Sequence, residues 1–321
     1  MAVYTKITQA EIAQHLQKYQ LGQLIGLKEI IEGIDNSNFI LETTQGKFIF
    51  TIFESRIDKN DLPFFVNFKL HLAQKGILCP RPILDNSGSS TVEIKGKESA
   101  IVTFLSGANL KAREDGYYDN ITPNHCFEVG KTLAKLHEAA KDFSMSRPNE
   151  LGANGWNPLF SKFRGLAADY EKNLDAEISE ILNFLKNSWR FDLRSAACHL
   201  DLFPDNVFFD ANAKFSGVID FYFAATEALV YDFAIIVNAW CFDEKNNFSE
   251  EKFSEMLRGY EEVRKFSDEE KNFLKIALVG AAMRFLLTRL NDMLFTPKTA
   301  LVKIKNPQEY LAKLRFFYSK L

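Results

Sequence analysis

Apolar residues gather first in short blocks and later along helical faces. Residues 24–32, 38–44 and 47–54 are rich in Ile, Leu and Phe and read as strands. Thr44-Gln45-Gly46 joins the second to the third as a hairpin signal. Before them, residues 8–20 read as a helix in which Thr8 and Glu11 match a capping box. Residues 59–75 read as a second helix, with Asp61 and Pro63 in its first turn and Gly76 past its end. Two further strands follow, 91–95 and 98–105, separated by Lys95-Gly96-Lys97. The order is β-β-β-α-β-β, and helices dominate everything downstream.

The composition shifts at Ser106-Gly107-Ala108-Asn109. A boundary there divides the chain into a β-rich lobe, 1–105, and a helical lobe, 106–321. Thr122 and Pro123 open a helix over 123–141, with Val129, Leu133, Leu136 and Ala140 on one face. Residues 160–188 and 250–295 are further helical stretches. The fold class is α+β, in two lobes.

The length, 321 residues, fits two lobes better than one core. Apolar residues make up 46 % and charged residues 25 %, so there is ample material to bury. The net charge is −3 with no Lys/Arg block, which argues against a nucleic-acid partner. Cys79, Cys126, Cys198 and Cys241 are scattered, so neither a zinc cluster nor a redox pair is indicated. They fit a reducing cytosol. The first residues lack the apolar core of a signal peptide, and no run of about 18 apolar residues occurs. The expectation is a soluble cytoplasmic protein with no membrane contact and no obligate protein partner.

Chemistry concentrates between Cys198 and Asp210, CHLDLFPDNVFFD. His199, Asp201 and Asn206 form His-x-Asp-x-x-x-x-Asn, followed by the apolar run Val207 to Phe209. A second run, Gly217-Val218-Ile219, ends in Asp220-Phe221. The reading is loop, hairpin, loop, with two carboxylates and an amide at the loop ends. Phosphoryl transfer to an alcohol needs these parts. A carboxylate, Asp201, orients the weak nucleophile and takes its proton. Oxygen ligands, Asn206 and Asp220, hold the Mg²⁺ that neutralises the triphosphate of ATP. His199 reads as a buried scaffold histidine, and Asp205 as a turn former. Gly130-Lys131-Thr132 resembles the end of a phosphate loop, but it lies within a helix and reads as helix surface. No G-x-S-x-G or H-E-x-x-H motif occurs.

HLDLFPDN with VIDF resembles the catalytic centre of the aminoglycoside/choline kinase-like superfamily, whose fold is that of protein kinases. The longer segments GIDNSNFILET, LPFFVNFKLHLAQKGILCPRPI, AIVTFL, YDFAIIVNAWCF and RFLLTRLNDML resemble the kinase-fold homoserine kinases of threonine biosynthesis. That resemblance spans residues 33–295. It implies an ATP- and Mg²⁺-dependent phosphotransferase acting on the hydroxyl of L-homoserine. It also implies Asp201 as base, Asn206 and Asp220 as Mg²⁺ ligands, and Asp232 as a structural brace of the catalytic loop. His137 also matches a family position, with a packing role.

The sequence departs from the wider kinase pattern at two places. Thr51 stands where protein kinases carry a phosphate-binding lysine, leaving Lys47 and Arg56 as candidates for that role. The glycine loop is reduced to Gly33, with Asn36 and Ser37 following it. Adenine is expected at the backbone of Thr103, Phe104 and Leu105. For the amino-acid substrate, a carboxylate calls for an arginine fork. Arg284 and Arg289 sit in an otherwise apolar helix; Arg289 has Asp292 nearby as a local partner, so Arg284 is preferred. Tyr222, Asn238 and Trp240 are further candidates to face the acceptor. The rival readings are another small hydroxyl acceptor (choline, an aminoglycoside, a sugar or an amino alcohol) and a nucleotide-binding pseudokinase.

Overall fold

The structure, a computed structural model, describes residues 4–30, 36–54, 58–113, 117–297 and 304–321. The chain forms two compact units. The first comprises Met1–Ser106 with Gly217–Tyr222, and the second Gly107–Ser216 with Phe223–Leu321.

In the first unit, α1 (Gln9–Leu16) precedes β1 (Leu24–Ile30), β2 (Asn36–Thr43) and β3 (Gly46–Phe53). Then come α2 (Leu62–Gln74), β4 (Val92–Ile94) and β5 (Lys97–Thr103). The strands form an antiparallel sheet in the order β1-β2-β3-β5-β4. Thr8 and Glu11 close the capping box of α1. Lys95 and Gly96 both take positive φ, 51° and 73°, as a two-residue turn twisted to match its strands requires. Phe39, Leu41, Phe50, Ile52 and Ile101 bury one face of the sheet against Ile12 and Leu16. Each such side chain contributes roughly 1.5–3 kcal/mol on leaving water. β2 starts earlier than the apolar block suggested, so Asn36 and Ser37 belong to a paired strand rather than a turn.

The second unit holds the short strand β6 (Ala108–Asn109), then α3 (Pro123–Ala140), α4 (Ala153–Ser161), α5 (Ala167–Tyr170) and α6 (Leu174–Ser188). Next come β7 (Ser195–Cys198), β8 (Val207–Phe209) and β9 (Phe215–Val218), along which the chain runs into the first unit. On its return it forms β10 (Ala225–Ala228), α7 (Leu229–Trp240), α8 (Glu250–Glu261), α9 (Asp268–Phe295) and α10 (Gln308–Tyr318). The helical stretch expected over 160–188 is three helices, and that over 250–295 is two. Ser267 accounts for the second break, because it caps α9 in a capping box with Glu270. No helix among the described residues is long and apolar enough to cross a membrane.

Gly130 is buried, not at the helix surface as the sequence reading had it. A Cβ there would lie 2.1 Å from the Met256 carbonyl oxygen of α8. Reciprocally, a Cβ on Gly259 would lie 2.1 Å from the Phe127 carbonyl oxygen of α3. The two helices therefore cross backbone to backbone, each through a glycine.

Candidate active site

β7 pairs antiparallel with β10 and delivers the chain to His199-Leu200-Asp201. Leu200 takes a left-handed conformation, φ 63°, which costs a side-chain-bearing residue about 1 kcal/mol or more. Three groups hold it there. Asp232, in the first turn of α7, accepts the His199 amide on one carboxylate oxygen (3.0 Å) and the Leu200 amide on the other (2.9 Å). From α9, the Arg284 guanidinium donates to the Leu200 carbonyl. Burial works to raise the Asp232 carboxyl, but the hydrogen bond from His137, the two imidazoles beside it and the Leu200 N–H outweigh it. The group is held below the ordinary carboxylate range.

Asp201 follows. Its amide donates to His199 Nδ1 at 3.2 Å, and His199 is fully buried beneath the loop. The turn Pro204–Asn206 brings Asn206 back onto Asp201. The Asn206 Nδ2 donates to the Asp201 carbonyl (2.8 Å) and to its Oδ2 (3.3 Å). Asn206 Oδ1 has no hydrogen-bond partner among the described residues. From β6, Asn109 Nδ2 donates to the Asp205 carbonyl at 2.6 Å and steadies the turn.

The Asp201 carboxyl is pushed up to about 6. Burial is the main cause; the charges of Arg284 and Lys305 oppose it, and Asp205 adds to it. Arg284 is 2 % exposed and lies over the Phe285 ring, 4.5 Å from its centroid. Its Nε is buried without a partner. Lys305 is exposed, with Nζ 5.2 Å from the Phe203 ring centroid. Lys305 escaped the sequence reading because a lysine beyond the last expected helix carries no local signal.

Removing the arginine charge gives a measurable sign. Arg284→Met takes away an influence that lowers the Asp201 carboxyl, so the acid limb of kcat/KM against pH moves upward by roughly one unit. A limb that stays in place would show that the charge at 284 does not reach Asp201.

The other candidates in this unit lie behind the loop. Trp240 and Asn238 have no exposed surface. Trp240 Nε1 donates to the Leu202 carbonyl (2.8 Å), and Asn238 Nδ2 donates to the carbonyls of Ala234 (3.0 Å) and Leu278 (3.2 Å). They support the loop from beneath rather than facing an acceptor. Arg289 pairs with Glu309 of α10 (2.6 Å) and donates to the Asn306 carbonyl (2.9 Å). Its ion-pair partner thus comes from a helix the sequence reading had not anticipated, rather than from Asp292.

In the first unit, Asp220 takes φ 64° just beyond β9. Tyr222 packs edge-on against Phe53 and Phe65, with ring centroids 6.0 and 5.8 Å apart. Lys69 of α2, buried among phenylalanines, has Nζ 5.5 Å from the Tyr222 ring centroid. Burial pulls its ammonium down to about 8, opposed by Cys79 and Asp220. Sequence reasoning missed this cation; its signal was a lysine among Phe64, Phe65, Phe68 and Leu72 on one helix face.

Thr51 donates to Asn38 Oδ1 at 2.8 Å. Asn36 Oδ1 accepts the Glu54 amide (3.2 Å), and Ser37 donates to Glu54 (2.6 Å). Lys47 is exposed, with Glu42 at 3.7 Å. Thr103 Oγ1 accepts the Arg81 amide (2.9 Å), Phe104 is 42 % exposed, and the Leu105 side chain lies against Gly217. Gly33 and Arg56 lie outside the described residues.

The model of the phosphotransferase enzyme family matches residues 26–266. The homoserine kinase of Xanthobacter autotrophicus is 45 % identical over 98 % of this chain and 96 % of its own length. That of Granulibacter bethesdensis is 43 % identical over 99 % of this chain and 97 % of its own. Among solved structures, a spectinomycin phosphotransferase in complex with ADP and spectinomycin matches with a TM-score of 0.68 at 13 % identity, covering 98 % of this chain and 95 % of that one. The choline kinase of Streptococcus pneumoniae matches at 0.62 and 15 %, covering 96 % and 98 %. At such identities the structures show the fold alone, the bilobal kinase-like α+β fold. The sequence matches show more: the chain belongs to the phosphotransferase enzyme family, and its full-length similarity within that family is to homoserine kinases.

Proposed function

We propose that the chain transfers the γ-phosphate of ATP to the hydroxyl of L-homoserine, releasing ADP and O-phosphohomoserine. The observation that carries the reading is Asp201. Its carboxyl is poised near neutrality, on a strained loop gripped through the backbone from two helices. A general base works best when its pKa lies close to the working pH.

Asn206 spends its Nδ2 on Asp201, which fixes the carboxylate plane and leaves the other carboxylate oxygen for the hydroxyl proton. The transition state of phosphoryl transfer is loose, so positioning and charge dominate over covalent chemistry. The donor set fits Mg²⁺, because Asn206 leaves its Oδ1 unpartnered and hard cations take oxygen ligands. Asn206 and Asp220 would hold the ion, which when bound neutralises charge on the triphosphate. The homoserine carboxylate calls for a cation. The charges of Arg284 and Lys305 reach Asp201. In this reading the first unit binds the nucleotide, with adenine at the backbone of 103–105.

The test is ADP release measured with L-homoserine beside L-serine, L-threonine, choline and kanamycin. Homoserine should exceed every other acceptor in kcat/KM by at least about tenfold. Choline or kanamycin as the best acceptor would overturn the substrate, and no turnover with any acceptor would overturn the enzyme.

A further inference from the structure

Behind the catalytic loop runs an unbroken line of buried hydrogen bonds. Glu270, at the start of α9, accepts from Arg264 Nη2 at 2.5 Å. Arg264 Nη1 lies 3.0 Å from the Tyr260 hydroxyl. That hydroxyl lies 2.8 Å from His137 Nδ1, and His137 Nε2 lies 3.1 Å from Asp232 Oδ2. Asp232 then receives the amides of His199 and Leu200. Arg264 is 4 % exposed, and His137, Asp232, Tyr260 and Glu270 are 0 % exposed.

The hydrogen inventory gives this line one direction. Arginine only donates, so the Tyr260 oxygen accepts from Arg264; a neutral His137 gives its one N–H to the Asp232 carboxylate, so the Tyr260 hydrogen points to His137 Nδ1. Nδ1 is then the acceptor nitrogen, and Nε2–H donates to Asp232. Cys198 Sγ also approaches, and His137, Cys198 and Asp232 place ligand-type atoms within 4.8 Å of one another. Hydrogen bonds already occupy both imidazole nitrogens and both Asp232 oxygens, so the cluster is a junction of hydrogen bonds rather than a metal centre.

The line also joins the two anchors of Leu200. Glu270 caps α9, accepting the Ser267 amide on its other oxygen at 2.9 Å. Farther along the same helix, Arg284 holds the Leu200 carbonyl. The glycine crossing of α3 with α8 is what brings Tyr260, next to Gly259, within reach of His137.

We propose that Tyr260 is a positioning residue for Asp201: by holding the His137 ring through Nδ1 it keeps Asp232 aimed at the His199 and Leu200 amides. The inference rests on Asp201 as the base. Without the tyrosine hydroxyl, Nδ1 loses its donor. The ring is then free to tilt, which lengthens the Nε2–H bond to the Asp232 carboxylate. The grip on the loop loosens, and the base is misplaced while both substrates still bind.

Tyr260→Phe should therefore lower kcat about tenfold, the scale of outer-shell losses, and leave both KM values within about twofold. The Nε2-bound proton of His137 should move upfield as its hydrogen bond to Asp232 weakens. His137→Gln breaks the same line at the next link. It should cost a similar factor in kcat, with no further loss on adding Tyr260→Phe. Unchanged kcat in both variants, whatever their melting temperatures, overturns the proposal, as does an unchanged His137 Nε2–H resonance in Tyr260→Phe. Those results with an inactive Asp201→Asn would sink only the positioning role. Full turnover in Asp201→Asn would sink the base itself.

Discussion

Asp201→Asn loses turnover by a factor of at least about 10²–10⁴, yet melts at a higher temperature than the parent protein at neutral pH. The first effect follows from the proposed role of Asp201 as the group that takes the hydroxyl proton. The second follows from where that group sits. The Asp201 carboxyl titrates at about 6 in the folded chain, against an ordinary value of 3.8. The folded state thus binds this proton more tightly than the unfolded state does. Stability falls as pH rises through that window, and the full cost is present above about pH 6. An asparagine of the same shape carries no such cost. The gain is roughly 1–3 kcal/mol above pH 7, reduced for partial solvent access, and it shrinks to nothing as pH approaches 4. Thermal melts of both proteins between pH 4 and 8, without nucleotide, read the stability effect, and ADP release at saturating substrates reads the catalytic one. A variant that retains near-parental kcat removes the base, and equal melting temperatures at pH 8 contradict the burial argument.

Gly130→Ala and Gly259→Ala are each expected to cost several kcal/mol for a single methyl group. In each, the new carbon would lie 2.1 Å from a backbone carbonyl oxygen of the opposite helix. No rotamer change relieves a clash with backbone, so α3 and α8 must move apart. Overpacking of this kind costs about 3 kcal/mol or more, or roughly 6–12 °C in melting temperature for a domain of this size. The two losses share one interface, so the double variant should lose less than the sum. A shift of less than about one degree in either single variant would show that the helices do not approach this closely in solution. Separation of α3 from α8 also draws Tyr260 away from His137, so surviving activity should fall in kcat.

Much of this was legible in the chain. The strand blocks, the capping box at Thr8, the cap at Thr122 and the spacing of His199, Asp201 and Asn206 are local patterns, and local patterns survive in one dimension. What escaped was set by distance. Arg289 pairs with a glutamate twenty positions away, on a helix that the sequence reading did not place. Lys305 reaches Asp201 only because α9 and α10 fold back together. Gly130 looked like surface because a glycine has no side chain to report which face is buried. Asn238 and Trp240 drew notice as polar and aromatic groups near the motif, but α7 turns them inward to support the loop. Ser267 and Glu270 were a readable exception: they form the same Ser/Thr-x-x-Glu pattern as Thr8 and Glu11, overlooked inside a long apolar stretch.

Residues 217–222 belong to the same unit as the first 106. The Val218 amide donates to the Leu78 carbonyl, and Tyr222 covers Phe53 and Phe65. A ribosome making this chain therefore releases the amino-terminal strands long before it supplies the hexapeptide that seals them. Until then, aromatic surface stays uncovered in the nascent polypeptide. A gene cut after codon 106 would yield a product with the same exposed seam, restorable in principle by a synthetic peptide of sequence 217–222.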